Sequence, residues 1–282
     1  MSDVSVNSRL LGLKDVKVHV DDYGGSGRPV VLIHGWPLSG ESWVEQISAL
    51  REAGYRVLTY DRRGFGRSDK PKTGYGYDTL ADDLAGLLDQ LDLTDVSLVG
   101  FSMGGGEVAR YIAKYGESRL HSIVFAAAVT PMMMNTPGNP DGPLEKSKAA
   151  SMTAQLTADQ NAFYDQFTRE FFSPDADGNV LVTEAQRQDA FHLCQQADKA
   201  AALEAMQSFG VTDFRDDLPR ITIPTLVMHG DADGVVPFEG SGQRTHRAVA
   251  HSELVVVPGA PHGFNVSHAQ EFNRALIKFL SR

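Results

Sequence analysis

Gly100-Phe101-Ser102-Met103-Gly104 places a serine between two glycines, each two residues away. A serine hydroxyl is a weak nucleophile until a base takes its proton, so the pattern means little without a histidine and a carboxylate. On a strand–serine–helix turn the acid follows the serine in the chain and the histidine follows the acid. His229-Gly230-Asp231-Ala232-Asp233 closes one apolar run, and Pro258-Gly259-Ala260-Pro261-His262-Gly263-Phe264 follows the next. Of nine histidines, His262 alone combines a turn-rich loop with that order. His34 and His229 also end apolar runs ahead of a glycine, but both come before the acid. Two aspartates compete for the acid. Asp231 directly follows its run and suits a local turn. Asp233 lies deeper in the loop, within reach of the histidine, and is preferred as the orienting acid.

A nucleophilic serine also needs donors for the oxyanion. His34-Gly35-Trp36-Pro37 follows an apolar run and can turn a main-chain N–H toward the serine. The expected donors are the N–H groups of Trp36 and Met103, the latter at the start of a helix whose dipole adds positive potential. Proline after Trp36 restricts how that residue presents its N–H and carbonyl. Asp61-Arg62-Arg63-Gly64-Phe65-Gly66-Arg67-Ser68 invites a phosphate-loop reading, but it lacks the G-x-x-x-x-G-K-[ST] spacing and does not open directly into a helix. A structural loop pinned by Arg–Asp pairs is expected instead. No H-E-x-x-H spacing exists, and the expectation is an enzyme with neither metal nor cofactor.

Short β-branched runs alternate with helical stretches, as these loops require. Strands are read at 14–20, 29–33, 55–60, 96–99 and 120–129, with helices at 42–53, 77–91 and 103–115. That rhythm predicts an α/β fold, a mostly parallel sheet with helices on both faces and its loops gathered at the strands' carboxyl edge. The rhythm breaks at Pro131 and resumes near 218 with strands at 224–229 and 253–257 and helices at 239–250 and 266–280. Between them, patches at 158–171 and 183–208 read as helical, so 131–217 is expected to be a helical cap inserted into a core of 1–130 and 218–282.

The sequence of 282 residues is 42% hydrophobic, enough for a core without disulfides or structural metal. A net charge of −10 argues against nucleic acid as a partner. The single cysteine, Cys194, cannot form an intrachain disulfide and reads as a small buried apolar residue. No apolar run approaches the ~18 residues of a membrane helix, and residues 1–13 lack the pattern of a leader. A cytoplasmic protein with no membrane partner is expected, and a homo-oligomer is left open.

Taken together, these motifs, with Thr130-Pro131, Thr212-Asp213-Phe214-Arg215 and Val236-Pro237-Phe238-Glu239, resemble the α/β-hydrolase fold from about Val16 to Leu280. More narrowly, the chain is similar to bacterial aryl esterases and cofactor-free haloperoxidases. The resemblance implies Ser102, Asp233 and His262 as triad, with Trp36 and Met103 as oxyanion donors. It implies esterase activity on small acyl or aryl esters, with perhydrolysis of carboxylic acids as a side reaction. A lactam, amide or C–C bond hydrolase on the same triad is the rival enzyme reading, and a ligand-binding receptor the rival of another class. Met132-Met133-Met134 stands out in the cap as an unusual run.

Overall fold

Runs rich in Val, Ile and Leu become strands because branched side chains fit a pleated surface covered on both faces. The computed structural model describes residues 6–174 and 178–282. Residues 1–5, where the stretch read for a leader begins, and 175–177, within the span expected to be a cap, lie outside the described residues. Eight strands form one sheet: β1 (Asn7–Gly12), β2 (Lys17–Asp22), β3 (Pro29–Ile33), β4 (Arg56–Tyr60), β5 (Val96–Phe101), β6 (Leu120–Ala126), β7 (Thr225–Gly230) and β8 (Glu253–Val257). Their order is β1-β2-β4-β3-β5-β6-β7-β8. The β1–β2 and β2–β4 pairs are antiparallel and the rest parallel.

Helices α1 (Val44–Glu52), α2 (Tyr77–Gln90), α3 (Met103–Tyr115) and α8 (Gly242–Ala248) connect the parallel strands, and α9 (Phe264–Ser267) and α10 (Ala269–Leu280) end the chain. The path from β3 to β4 runs one way along the sheet, and those from β4 to β5 and β5 to β6 run the other way. Right-handed crossovers therefore put α1 on one face and α2 and α3 on the opposite one. The direction reverses at β3, so a crevice opens between the carboxyl ends of β3 and β5, where Ile33 and Gly100 are in register.

Between β6 and β7 lie α4 (Lys146–Ala158), α5 (Gln160–Phe171), α6 (Glu184–Gln195) and α7 (Lys199–Val211). The stretch expected as one helix over 183–208 is two. Asp198 interrupts it, accepting from the Ala201 N–H as cap of α7 and donating its own N–H to the Gly64 carbonyl. The strand expected to Val129 stops at Ala126, because Ala127 turns to a φ of 45°. The last helix breaks at His268. Strand β1 was not expected: its side chains are nearly all exposed and carry no apolar alternation.

Candidate active site

Close backbone approach builds the serine turn. A Cβ on Gly100 would lie 2.6 Å from the Gly104 carbonyl oxygen, and one on Gly104 would lie 2.5 Å from that of Ile33. Only glycines let β5, α3 and β3 meet there. Between them Ser102 takes a φ of 53°, a conformation that a non-glycine residue holds only when its surroundings enforce it. Its N–H donates to the Ala126 carbonyl at 2.8 Å, and its carbonyl accepts from Val129 and Gly105. The hydroxyl thus projects from the edge of the sheet.

The loops after β7 and β8 bring the other two groups to it. His262 Nδ1 is 2.6 Å from Asp233 Oδ2, and His262 Nε2 is 3.0 Å from Ser102 Oγ. An ionised carboxylate only accepts, so Nδ1 carries the proton and Nε2 is left to accept from the serine. Asp233 is buried. Burial alone would raise its pKa, but the His262 charge and hydrogen bonds from His229 and His262 outweigh it and hold the carboxyl well below the usual range. Its Oδ1 also accepts from the Val235 and Val236 N–H groups at 2.9 and 2.7 Å. Asp231 is not at the site: exposed, it accepts from the Gly259 N–H at 2.6 Å and closes the turn after β8.

Sequence reasoning did not find the part His229 plays. Its Nε2 is 2.8 Å from the Val236 carbonyl and 3.2 Å from Asp233 Oδ2, so it donates to the first and leans on the carboxylate. The signal was its place four residues before Asp233 at the end of a strand. His34 is also structural. Its Nε2 accepts from the Arg62 N–H at 2.9 Å and its Nδ1 faces the Gly35 carbonyl at 2.8 Å. Burial, then the Arg62 charge, hold its pKa well below the usual value, so it stays neutral.

The 34–37 loop lies against the serine. A Cβ on Gly35 would come within 3.1 Å of Ser102 Cβ. Among the described residues, no protein acceptor takes the Trp36 N–H. The Met103 N–H is the first of α3 and has no carbonyl one turn earlier in its own helix. The Trp36 indole donates to the Ala202 carbonyl of α7 at 2.9 Å and meets Phe163, Phe167 and Phe209 edge-on. Beneath the loop, buried Arg62 donates to Glu107 at 2.8 Å and to the His34 carbonyl at 2.8 Å. Arg63 pairs with Asp83 and Asp15, and Arg67 with Asp61 and Asp21. The arginines of the 61–68 loop thus brace the sheet edge, as ion pairs with Asp, for Arg67 also with Glu41, and for Arg62 with Glu107.

Above these groups is a cavity of about 630 Å³, lined by Ser102, His262 and Trp36. Its wall is apolar, with Val129, Phe163, Phe167 and Phe209 among its members, while exposed Lys146, Lys148, Glu170 and Glu204 ring its mouth. Phe171 at the end of α5 packs edge-on against the His262 ring, and its carbonyl accepts from the Gly263 N–H at 2.7 Å. The helices over the site therefore hold the histidine loop as well as roofing the cavity. Cys194 is fully buried, and burial pushes its thiol pKa up, consistent with an inert apolar role. No helix among the described residues is long and apolar enough to cross a membrane.

Comparison with known proteins agrees with this architecture. Residues 28–269 match the family described as alpha/beta hydrolase fold. The chain is 40% identical to a non-heme chloroperoxidase of Kitasatospora aureofaciens, over 95% of this chain and 97% of that one. It is 35% identical to a bifunctional esterase/perhydrolase of Acinetobacter calcoaceticus, over 94% and 96%. A crystal structure of a bromoperoxidase from Bacillus anthracis superposes with a TM-score of 0.94 at 47% identity, covering 99% of this chain and all of that one.

Proposed function

The chain belongs to the α/β-hydrolase family, and on that ground we propose that it is a serine hydrolase cleaving small carboxylic esters through an acyl-enzyme. Perhydrolysis is its side activity. The observation that carries the reading is the unbroken hydrogen-bonded line from Ser102 Oγ through His262 to Asp233, at 3.0 and 2.6 Å. The names of relatives, an esterase/perhydrolase and a non-heme chloroperoxidase, support the choice of reaction.

In this mechanism Ser102 Oγ attacks the ester carbonyl while His262 Nε2 takes its proton. The Trp36 and Met103 N–H groups receive the oxyanion. Asp233 keeps His262 in the Nδ1–H tautomer and stabilises the imidazolium. His262 then protonates the leaving alcohol, and the acyl group remains on Ser102. Water, deprotonated by His262, releases the acid. Where hydrogen peroxide replaces water, the product is a peracid. The peracid can transfer its terminal oxygen to bromide, giving carboxylate and hypobromous acid, so the chemistry needs no metal or other cofactor. The apolar cavity wall suits aryl and short alkyl groups, and the span 131–217 serves as the cap that shapes it over the core of 1–130 and 218–282. With a charge of −10, the partners are small molecules in the cytoplasm rather than nucleic acid.

The test is p-nitrophenyl acetate hydrolysis, with bromination of monochlorodimedone in acetate and peroxide run beside it. Wild type is expected to turn over the ester with a burst of p-nitrophenol and to brominate. Ser102→Ala is expected to lose both by about 10⁴-fold or more while keeping its thermal midpoint within a few degrees. Ester turnover by Ser102→Ala near the wild-type rate would remove the mechanism.

A further inference from the structure

The chain has eight methionines. Four of them, Met133, Met134, Met152 and Met206, line the cavity that holds Ser102 and His262. Two are almost sealed from solvent, Met133 at 3% and Met206 at 6% exposure. Met132, next in sequence, is not among the lining residues and is half-buried, and Met228 lies buried in β7. The run is set in place by Asn139, whose side-chain amide donates to the Met132 and Met134 carbonyls at 3.1 and 2.8 Å. Leucine would give the same apolar volume. What thioethers add is chemistry: sulfur takes an electrophilic oxygen to become a sulfoxide, which turns an apolar wall polar.

We propose that the cavity methionines are oxidised by the peracid formed at Ser102, so that perhydrolysis limits itself while ester hydrolysis does not. The inference rests on the perhydrolysis reading. The peracid transfers its terminal oxygen to sulfur: the O–O bond breaks, an S–O bond forms, the carboxylic acid leaves with its proton, and sulfur is oxidised by two electrons. Burial decides which methionines react. An oxidant arriving from bulk water reaches the half-buried Met132 more readily than Met133 or Met206. A peracid released inside the cavity meets Met133 and Met206 first, before it dilutes. The order of oxidation therefore reports where the oxidant was made.

Wild type is incubated with acetate and hydrogen peroxide, and sulfoxide is measured at each methionine by peptide mass spectrometry. Ser102→Ala receives the same acetate and peroxide, plus peracetic acid at the bulk concentration that wild type accumulates. The expected result is sulfoxide at Met133 and Met206 at least about tenfold faster in wild type, because a peracid released inside the cavity is held beside these sulfurs before it dilutes. Met132 and Met228 should oxidise equally in both proteins. Equal rates at Met133 and Met206 would overturn the inference and leave perhydrolysis standing. Absence of peracid from wild type, read by the bromination assay, would overturn perhydrolysis and this inference together, with ester hydrolysis judged separately. A double variant, Met133→Leu with Met206→Leu, keeps side-chain volume nearly constant. Its ester activity, relative to its own starting rate, should decline more slowly per peracid formed than that of wild type. An equal decline would show that these sulfurs do not limit the enzyme.

Discussion

Asp231 and Asp233 stand two residues apart in one loop, and their partners separate their roles. Asp233 accepts from His262, leans against His229 and takes two backbone N–H groups, so its negative charge is fixed and buried. Asp231 takes one backbone N–H at the surface. An amide at 233 has the charge removed and favours the wrong tautomer of His262. Asp233→Asn should lower kcat for p-nitrophenyl acetate by about 10⁴, the cost of the same change in a serine protease. Asp231→Asn should leave kcat within a few-fold and cost no more than about 1 kcal/mol of stability, since the amide oxygen still accepts from the Gly259 N–H and only the charge is lost. Parallel kinetics and thermal unfolding decide the matter; a crippled Asp231→Asn with an active Asp233→Asn would reverse the two roles. Loop depth, with the analogy to triad geometry, is what favours Asp233 in the sequence, and it is Asp233 rather than Asp231 that lies beside His262. The support from His229 had only a thin signal, its place four residues before Asp233 at a strand end, because residue order does not tell that its ring turns back toward the carboxylate.

Strand β5 and helix α3 fix the serine only because α3 lies directly on the end of β3. The contact is backbone to backbone at Gly104, whose Cβ would sit 2.5 Å from the Ile33 oxygen and 3.1 Å from the His34 oxygen. Neither carbonyl is a flexible tip that can swing aside, so Gly104→Ala must push α3 off the sheet. The expected cost is about 1–3 kcal/mol of overpacking, a fall in thermal midpoint of several degrees, and a loss of kcat as Ser102 and the Met103 N–H move together. Gly12→Ala, where nothing lies within 4 Å, is the control and should change neither. A Gly104→Ala protein with wild-type midpoint and rate would show that the approach is looser than these distances. Strands β3 to β7 were readable because they are covered on both faces and keep their apolar runs, β2 because Val18 and Val20 alternate with Lys17 and His19, and half-buried β8 because it is a run of valines and leucine. Strand β1 was hidden by exposure, which removes the alternation a half-buried strand would display. Among the helices over the site, α4 buries only Leu156, so its stripe is too thin to read. The break between α6 and α7 had a signal, Asp198 ahead of three alanines, in the form of an N-cap.

Across the molecule, carboxylates answer to acid in opposite directions, and where they lie sets the outcome. Glu107 and Asp83 are deeply buried, and burial raises both pKa values despite their arginine partners. Such groups take up protons in the folded state sooner than in the unfolded one, so acid does not unfold the protein through them. The sheet's antiparallel end behaves otherwise. Burial would raise Asp22, but its hydrogen bonds from Arg56, the Gly24 N–H and the Arg56 charge outweigh that and leave it lowered. Arg56 grips it through Nε at 3.2 Å and Nη2 at 2.6 Å, joining β2 to β4. Asp21 on the same strand is lowered in the same way, against its own burial, by Ser8, His19 and Arg67. A carboxyl with a depressed folded-state pKa stabilises fully above its unfolded value of about 3.9 and loses that contribution as pH falls through the folded value. The thermal midpoint of wild type should therefore exceed that of Asp22→Asn by a constant margin above about pH 5.5, and the margin should shrink steadily below about pH 4. Calorimetry or circular dichroism melts of both proteins from pH 7 downward measure it. A margin that stays constant into strong acid would mean that Asp22 contributes through the shape of its hydrogen bonds and not through its charge.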